Sequence, residues 1–400
     1  MLTMARRLGG LFLLLSLLAQ PCEISVRRGL WEKKPGSASK FFAFERNGKV
    51  GFINERGKVV IAPRIEASID EVGDLSDGFA RVGNHGYIDT TGSLAIHHHD
   101  YCCYSDFSEG RASAATDDPA SKYEKLGLIL DKNANVVATT RAFALGEFSE
   151  GLAAYEAKGK RGIRKFTPPL EYRDFPGLKG FVDRSGNLVI PPSFADVGPF
   201  RDGLARAAVD GYCHLVTAEN YRQGSPTSGY PSSCGGAPAD AVTPCKAGFI
   251  NTQGNFAIEA RFESARDFSE SLAAVRIGGL WGFIDATGSL VIPPQFEQVQ
   301  SFREGFAAVK LQGTWGFIDK AGTVVIPARF EAVDSFSDSF AITYKDNKPS
   351  FIDRTGRTVL PGPYLEVTPF VHGLAAVLLS KNRVAYINHS GKTVFQYSRR

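Results

Sequence analysis

Residues Trp281 to Thr343 are one pattern written twice, and this repetition limits the fold more than any other feature of the chain. Trp281-Gly-Phe-Ile-Asp285 is followed by Gly288, Val291-Ile-Pro293, Phe296, Phe302 and Ala307-Ala-Val309. The same order returns 34 residues later as Trp315-Gly-Phe-Ile-Asp319, Gly322, Val325-Ile-Pro327, Phe330, Phe336 and Ala341-Ile-Thr343. A fixed period of this size marks a repeat array, in which each unit buries its apolar face only against its neighbours. The central aromatic of the pattern, or an apolar residue in its place, falls at Phe52, Tyr87, Ile129, Phe181, Phe249, Phe283, Phe317, Phe351 and Tyr386. The steps are 35, 42, 52, 68, 34, 34, 34 and 35 residues. The chain therefore reads as eight full copies and a truncated ninth across residues 41–397.

Alternation and punctuation divide each copy into strands. In the sixth copy Gly282 to Asp285 is one strand and Ser289 to Ile292 is its partner. Asp285-Ala-Thr-Gly288 is a tight turn between them, because Asp can bond its own backbone and Gly takes positive φ. The Asp/Asn-x-x-Gly turn recurs at Asn54, Asp89, Asp183, Asn251, Asp319, Asp353 and Asn388. Pro293-Pro294 stops the second strand, since proline cannot donate to a ladder. Phe296 and Phe302 read as core plugs, and Arg303-Glu-Gly305 turns the chain into a last strand, Phe306 to Lys310. The small residue at Ala307 recurs at Ala80, Ala112, Ala153, Ala205, Ala273, Ala341 and Ala375, which predicts close approach of neighbouring copies there. Three to four short antiparallel strands per copy leave no room for helix.

Trp-Gly-Phe-Ile-Asp-x-x-Gly-x-x-Val-Ile-Pro, followed by Phe and by Phe-x-x-Gly-x-Ala-x-Val, resembles the WG (KWG) repeat family over residues 41–397. The Trp itself stands only at Trp281 and Trp315; Val50, Gly86, Gly127, Lys179, Ala247 and Ala385 hold its place in other copies. The resemblance implies an all-β tandem array, often in exported or surface proteins, that serves as a binding scaffold more than as an enzyme. It supplies no catalytic residues to carry over. A period of 34 residues is short beside the roughly 40–45 of WD40-type propellers, and no N-terminal segment supplies a strand to seal a ring. The expected fold is therefore an open, twisted, solenoid-like array of antiparallel β-repeats, with a closed β-propeller as the alternative.

Residues 1–22 read as a signal peptide. Arg6-Arg7 precede a twelve-residue apolar run, Leu8 to Ala19, which is too short for the ~20 residues that span a bilayer. The expectation is a secreted, periplasmic or cell-surface protein without a membrane span once the leader is removed; an uncleaved leader acting as an anchor is the alternative. The formal net charge is +4, and Arg6 and Arg7 account for two of the positive charges. So weak an excess argues against nucleic acid, which needs a concentrated basic face. Cysteine usage fits an oxidising compartment. Cys213 and Cys245 bracket one inserted loop and could clip its base, with Cys234 an equally available partner.

The interruptions of the repeat indicate where it would bind. Between the last strand of one copy and the central residue of the next, the regular spacing is eight (Val309 to Phe317), yet three consecutive junctions measure fifteen, twenty-six and forty-two. The insertions lie near 115–126, 158–178 and 210–247, all at the same turn. Insertions at one point of a repeat emerge from one face, which is often the binding face; neutral loop growth is the competing reading. The second insertion holds Lys158, Lys160, Arg161, Arg164 and Lys165, cations suited to an acidic group. The third holds Tyr212, Tyr221 and Tyr230.

His97, His99, Cys102 and Cys103 form the most metal-like cluster, since His97 and His99 share one side of an extended chain. No zinc-type spacing is present, and the cluster reads better as a polar rim loop. No cofactor is expected. The recurring aspartates Asp89, Asp183, Asp285, Asp319 and Asp353 are turn residues rather than catalytic ones. The residues favour an exported binding scaffold that recognises a protein or glycan partner through the loops of copies two to five. A hydrolytic enzyme on the same face is the alternative, with Glu171 or Asp174 set against Asp210 or Glu219 as candidate carboxylates, and a structural envelope component is a third reading.

Overall fold

The alternation of apolar residues assigns each strand two working faces. In Ala307–Leu311, Ala307 and Val309 pack against the sheet before and Ala308 against the sheet after. In Thr314–Ile318, Trp315 and Phe317 face the sheet after and Ile318 the sheet before. Both faces are apolar because every sheet has neighbours on both sides. The structure is a computed structural model that describes residues 40–83, 86–98, 101–117, 119, 125–140, 142–157, 161–165, 171–174, 177–209 and 246–398.

Among the described residues the repeats form nine antiparallel sheets in chain order, the first two three-stranded and the other seven four-stranded. Sheet seven shows the plan: Gln298–Val299, Ala307–Leu311, Thr314–Ile318 and Val324–Phe330, each paired with the next. Sheet four carries an additional hairpin, Arg161–Lys165 with Glu171–Asp174. The sheets are out of phase with the sequence copies. Each four-stranded sheet takes its first two strands from the end of one copy and its last two from the start of the next. The two strands of the ninth copy, Arg383–Asn388 and Thr393–Ser398, are completed by Glu366–Val367 and Leu374–Ser380 of the eighth.

The Trp-Gly pair has a backbone cause. Trp315 pairs with Phe330 and Phe317 with Ile326, so the fourth strand spends two extra residues between those points and bulges over Gly316. A Cβ on Gly316 would lie 2.5 Å from the Ile326 carbonyl oxygen, and Gly51, Gly180, Gly248 and Gly282 meet the same obstruction. Where the glycine is missing, so is the bulge. Ala385 faces Gln396 in a regular ladder, and the fourth strand of sheet eight ends at Leu360 before reaching Ser350.

The core lies between sheets rather than at one centre. The nine central residues, from Phe52 to Tyr386, are all buried, at 0–2% exposure. The recurring alanines from Ala80 to Ala375 are buried to the same degree, where one sheet approaches the next.

The array is closed, which corrects the open solenoid expected from the repeat length. Residues of sheets nine, one and two share one core that includes Phe42, Phe44, Leu374 and Tyr386. The Phe42 and Tyr386 rings meet edge to face at 5.6 Å, and Phe44 and Phe395 do so at 4.9 Å. The contact that joins ordinary neighbours also joins the ends. A Cβ on the turn glycine Gly322 would touch Ile292 of the preceding sheet, and one on Gly57 of sheet one would touch Val394 of sheet nine. The fold is thus a nine-bladed β-propeller ring. No sealing strand is needed, because Phe41–Arg46 completes sheet one and the seam is made face to face.

Candidate functional site

The ring has two ends, and different turns occupy them. Ala307 pairs with Ile318, so the turn before the second strand and the turn after the third lie at one end. The hairpin between the second and third strands lies at the other.

At the first end the Asx turns have a uniform construction. In sheet six the N–H groups of Thr287 and Ser289 donate to Asp285 Oδ1 at 2.9 and 3.1 Å. The hydrogen bond from the Thr287 hydroxyl holds the Asp285 carboxyl below the usual carboxylate range against a desolvation cost, with the backbone N–H groups adding to it. Sheet three departs from the pattern. Its turn is Asp131-Lys-Asn-Ala134, and Ala134 sits at φ 65°, where the other eight sheets place glycine at 76–84°.

Facing these turns is a feature the sequence reading did not identify. The first and second strands of sheet seven join through a two-residue turn, Glu304-Gly305, closed by mutual bonds of Arg303 and Phe306 at 2.8 and 3.0 Å. Such turns need positive φ at both central residues. Asp77, Glu109, Glu150, Asp202, Glu270, Glu304 and Asp338 all occupy the first of them, at φ 49–55°. Each carboxylate reaches forward to the turn of the next sheet and accepts a backbone N–H. Gly305 donates to Glu270 at 3.0 Å, Ser339 to Glu304 at 2.9 Å and Gly373 to Asp338 at 2.6 Å. Five also meet a basic residue of the next sheet's Asx turn, among them Lys320 on Glu270 at 3.2 Å and Arg354 on Glu304 at 2.9 Å. These acids are latches between sheets. The signal was an acid before glycine or serine in the same place of successive copies, beginning with Arg303-Glu-Gly305.

A partly buried ion network adds to the linkage between sheets four and six. Arg206 donates to Asp196 at 2.8 Å and to Asp267 at 3.2 Å, and Lys179 donates to Asp196 at 2.7 Å. Burial works against the Asp196 charge, but Arg206 and Lys179 hold its carboxyl below the usual range.

The opposite end carries the interruptions. Ala112–Asp117 pairs with Lys125–Leu130, Leu152–Ala157 with Lys179–Asp183, and Ala205–Val209 with Lys246–Ile250. The three insertions therefore open the same hairpin in three consecutive sheets of the ring and leave from one end. Arg161, Arg164 and Lys165 lie on the first strand of the additional hairpin, and Glu171 and Asp174 on the second. Lys158, Lys160, Asp210, Tyr212, Cys213, Glu219, Tyr221, Tyr230, Cys234 and Cys245 lie outside the described residues.

Of the metal-like cluster, His97 and His98 are exposed, and Cys102 and Cys103 are half-buried with their sulfurs 3.1 Å apart. The His98 ring stacks on Tyr101 at 3.9 Å. His99 lies outside the described residues, and among those described no three ligating side chains converge.

The family profile described as WG containing repeat matches residues 51–84, 180–213, 248–281, 281–315, 315–348 and 350–381, half of the chain. No curated protein matches it. Among solved structures the chain is similar to BamB from Moraxella catarrhalis, at 8% identity and TM-score 0.39 over 74% of this chain and 87% of that one. The WD40 β-propeller domain of Doa1 gives 10% and 0.27 over 76% and 87%. KlHsv2 with loop 6CD replaced by a Gly-Ser linker gives 10% and 0.33 over 90% and 94%.

Proposed function

Since this chain belongs to the WG repeat family and closes into a propeller ring, we propose that it is an exported interaction scaffold that holds a protein or glycan partner through its loop-bearing end. The observation that carries this reading is the position of the insertions. Six of the nine sheets keep the hairpin between their second and third strands short, and sheets three, four and five, side by side, do not. A rigid ring that lengthens adjacent loops at one end presents them as one surface. The loops carry the residue types such a surface uses, with Lys158, Lys160, Arg161, Arg164 and Lys165 beside Tyr212, Tyr221 and Tyr230. Export rests on the basic and apolar leader and agrees with three cysteines in one loop.

The test replaces each insertion by a two-residue hairpin of the kind at Gln312-Gly313 and compares partner recovery from extracellular or periplasmic fractions, or on a glycan array. The reading predicts an unchanged melt and loss of the bound partner. Recovery of the same partner by the shortened protein would rule out the loop end as the binding surface.

A further inference from the structure

Cys102 and Cys103 are neighbours in sequence whose sulfurs touch, at 3.1 Å. In a regular strand neighbours do not meet, because successive side chains point to opposite faces. The register of sheet three removes the obstacle. In sheet seven the N–H of Gln300 donates to the Ala308 carbonyl, and the residues before it pair in order, Val299 with Val309 and Gln298 with Lys310. Sheets five, six, eight and nine keep the same order. In sheet three Ser105 donates to Ser113 in the same way, but Cys102 pairs with Ala115 and Tyr101 with Thr116. Two residues, Cys103 and Tyr104, therefore stand against Ala114 alone, and the strand bulges. Cys103 takes φ 59°, in the left-handed region, and this turn of the backbone brings its sulfur to the side of Cys102.

The bulge is held on both flanks. The His98 carbonyl accepts the Tyr101 N–H at 3.2 Å and the Tyr104 hydroxyl at 3.4 Å, and the His98 ring stacks on Tyr101. Tyr104 is buried, edge to face with Tyr87 of sheet two at 5.3 Å. Contact between the sulfurs is thus set by the fold. Both cysteines are half-buried, which leaves them within reach of a small reagent. They stand at the loop-bearing end, since Thr116, opposite Tyr101, is one residue from the end of its strand at Asp117, at the base of the first insertion.

We propose that Cys102 and Cys103 form a reversible vicinal disulfide by exchange with a small disulfide. One thiolate attacks the small disulfide and releases one thiol, which leaves a mixed disulfide. The neighbouring thiolate then attacks that cysteine's sulfur, releases the second thiol and closes the ring. The two cysteines give up two electrons and two protons, and the small disulfide takes up both. Closing to the ~2.0 Å of an S–S bond asks the sulfurs to approach by about 1 Å. The ring is nonetheless a strained one. Adjacent Cα atoms stand about 3.8 Å apart across a trans peptide, inside the roughly 4.4 Å lower limit of ordinary disulfides. Strained disulfides are the readily reduced ones, and a loop this short restricts the unfolded chain little. The pair is therefore a redox site and not a staple.

The test equilibrates the full chain in glutathione buffers of graded oxidised-to-reduced ratio, then blocks remaining thiols with an alkylating agent. Trypsin cuts after Arg81 and Arg111, and the peptide between them holds no other cysteine, so its mass reports on this pair alone. In oxidising buffer the peptide should take up no alkyl group and weigh less by two hydrogens, and reducing buffer should restore two alkylated cysteines. The folded chain should close at an oxidised-to-reduced ratio at least about tenfold lower than the chain unfolded in urea, because the fold already holds the sulfurs together. Cys103→Ser cannot close and should carry glutathione on Cys102 instead. Alkylation of both cysteines in oxidising buffer, linkage of either to Cys22, Cys213, Cys234 or Cys245, equal midpoints for folded and unfolded chain, or no glutathione on Cys102 of the variant would each overturn the proposal.

Discussion

Tyr386 of the last sheet donates its phenolic hydroxyl to the main-chain carbonyl of Ala43 in the first, across 343 positions of sequence. The tyrosine fills the central aromatic position of its repeat, where most sheets have phenylalanine, and it is buried at 2% exposure. Burial pushes its phenol well above the ordinary range, so it stays a neutral donor. Tyr386→Phe keeps the ring and removes the bond, which should destabilise the protein by about 1–2 kcal/mol. Denaturant unfolding measures this, and a variant as stable as wild type would show that the hydroxyl contributes nothing to the seam.

Ala134 occupies the left-handed conformation in a turn that elsewhere carries glycine. That conformation costs an ordinary residue about 1–2 kcal/mol, partly offset by the lower chain entropy of alanine when unfolded. Ala134→Gly should therefore stabilise the protein by about 0.5–1 kcal/mol. A lower melting temperature would contradict the assignment of strain to this turn.

Trp281 and Trp315 are 8% and 6% exposed and pack between successive sheets. Arg266 lies over the Trp281 ring at 5.6 Å. Either tryptophan changed to alanine should cost about 3–5 kcal/mol. Melts that match wild type would place the indoles on the surface.

Acid should loosen the Glu109 latch. Burial works against the Glu109 charge, yet the bonds from Arg184, Gly151 and Glu150 hold its carboxyl below the usual range. A depressed native pKa gives stability that is complete above the unfolded value of about 4 and lost as pH falls through the native one. Glu109→Gln should cost about 1 kcal/mol at pH 7, after allowance for solvent screening, and should flatten the loss of stability below pH 4. An unchanged pH profile would remove Glu109 from the account.

Much of the strand plan was legible because its signals are local. Alternation around Phe283 and Phe317, the Asx turns and the buried alanines each follow from neighbours within one or two copies. The glycine of Trp-Gly was visible as a pattern, but its cause, a bulge in the facing strand, depends on register. Closure was not legible for a geometric reason. It is the sum of small rotations between sheets, and the residues that complete it, Phe42, Phe44, Gly57, Val394 and Tyr386, lie at opposite ends of the chain. The latch acids were visible as residues before a turn glycine or serine, although nothing local shows that their carboxylates reach the next sheet.

Closure is tested most directly by the distance between the first and last sheets. Lys58 and Lys392 are exposed, follow turn glycines of sheets one and nine, and accept spin labels without touching the core. In a background with Cys22, Cys102, Cys103, Cys213, Cys234 and Cys245 changed to serine, labels are placed on Lys58→Cys and Lys392→Cys, and electron–electron dipolar coupling gives their separation. Packed sheets lie about 10 Å apart, so the closed ring predicts one narrow distribution below about 25 Å, label length included. An open array would carry the two sites through eight intervals, to about 80 Å, and a population beyond about 60 Å would contradict the ring.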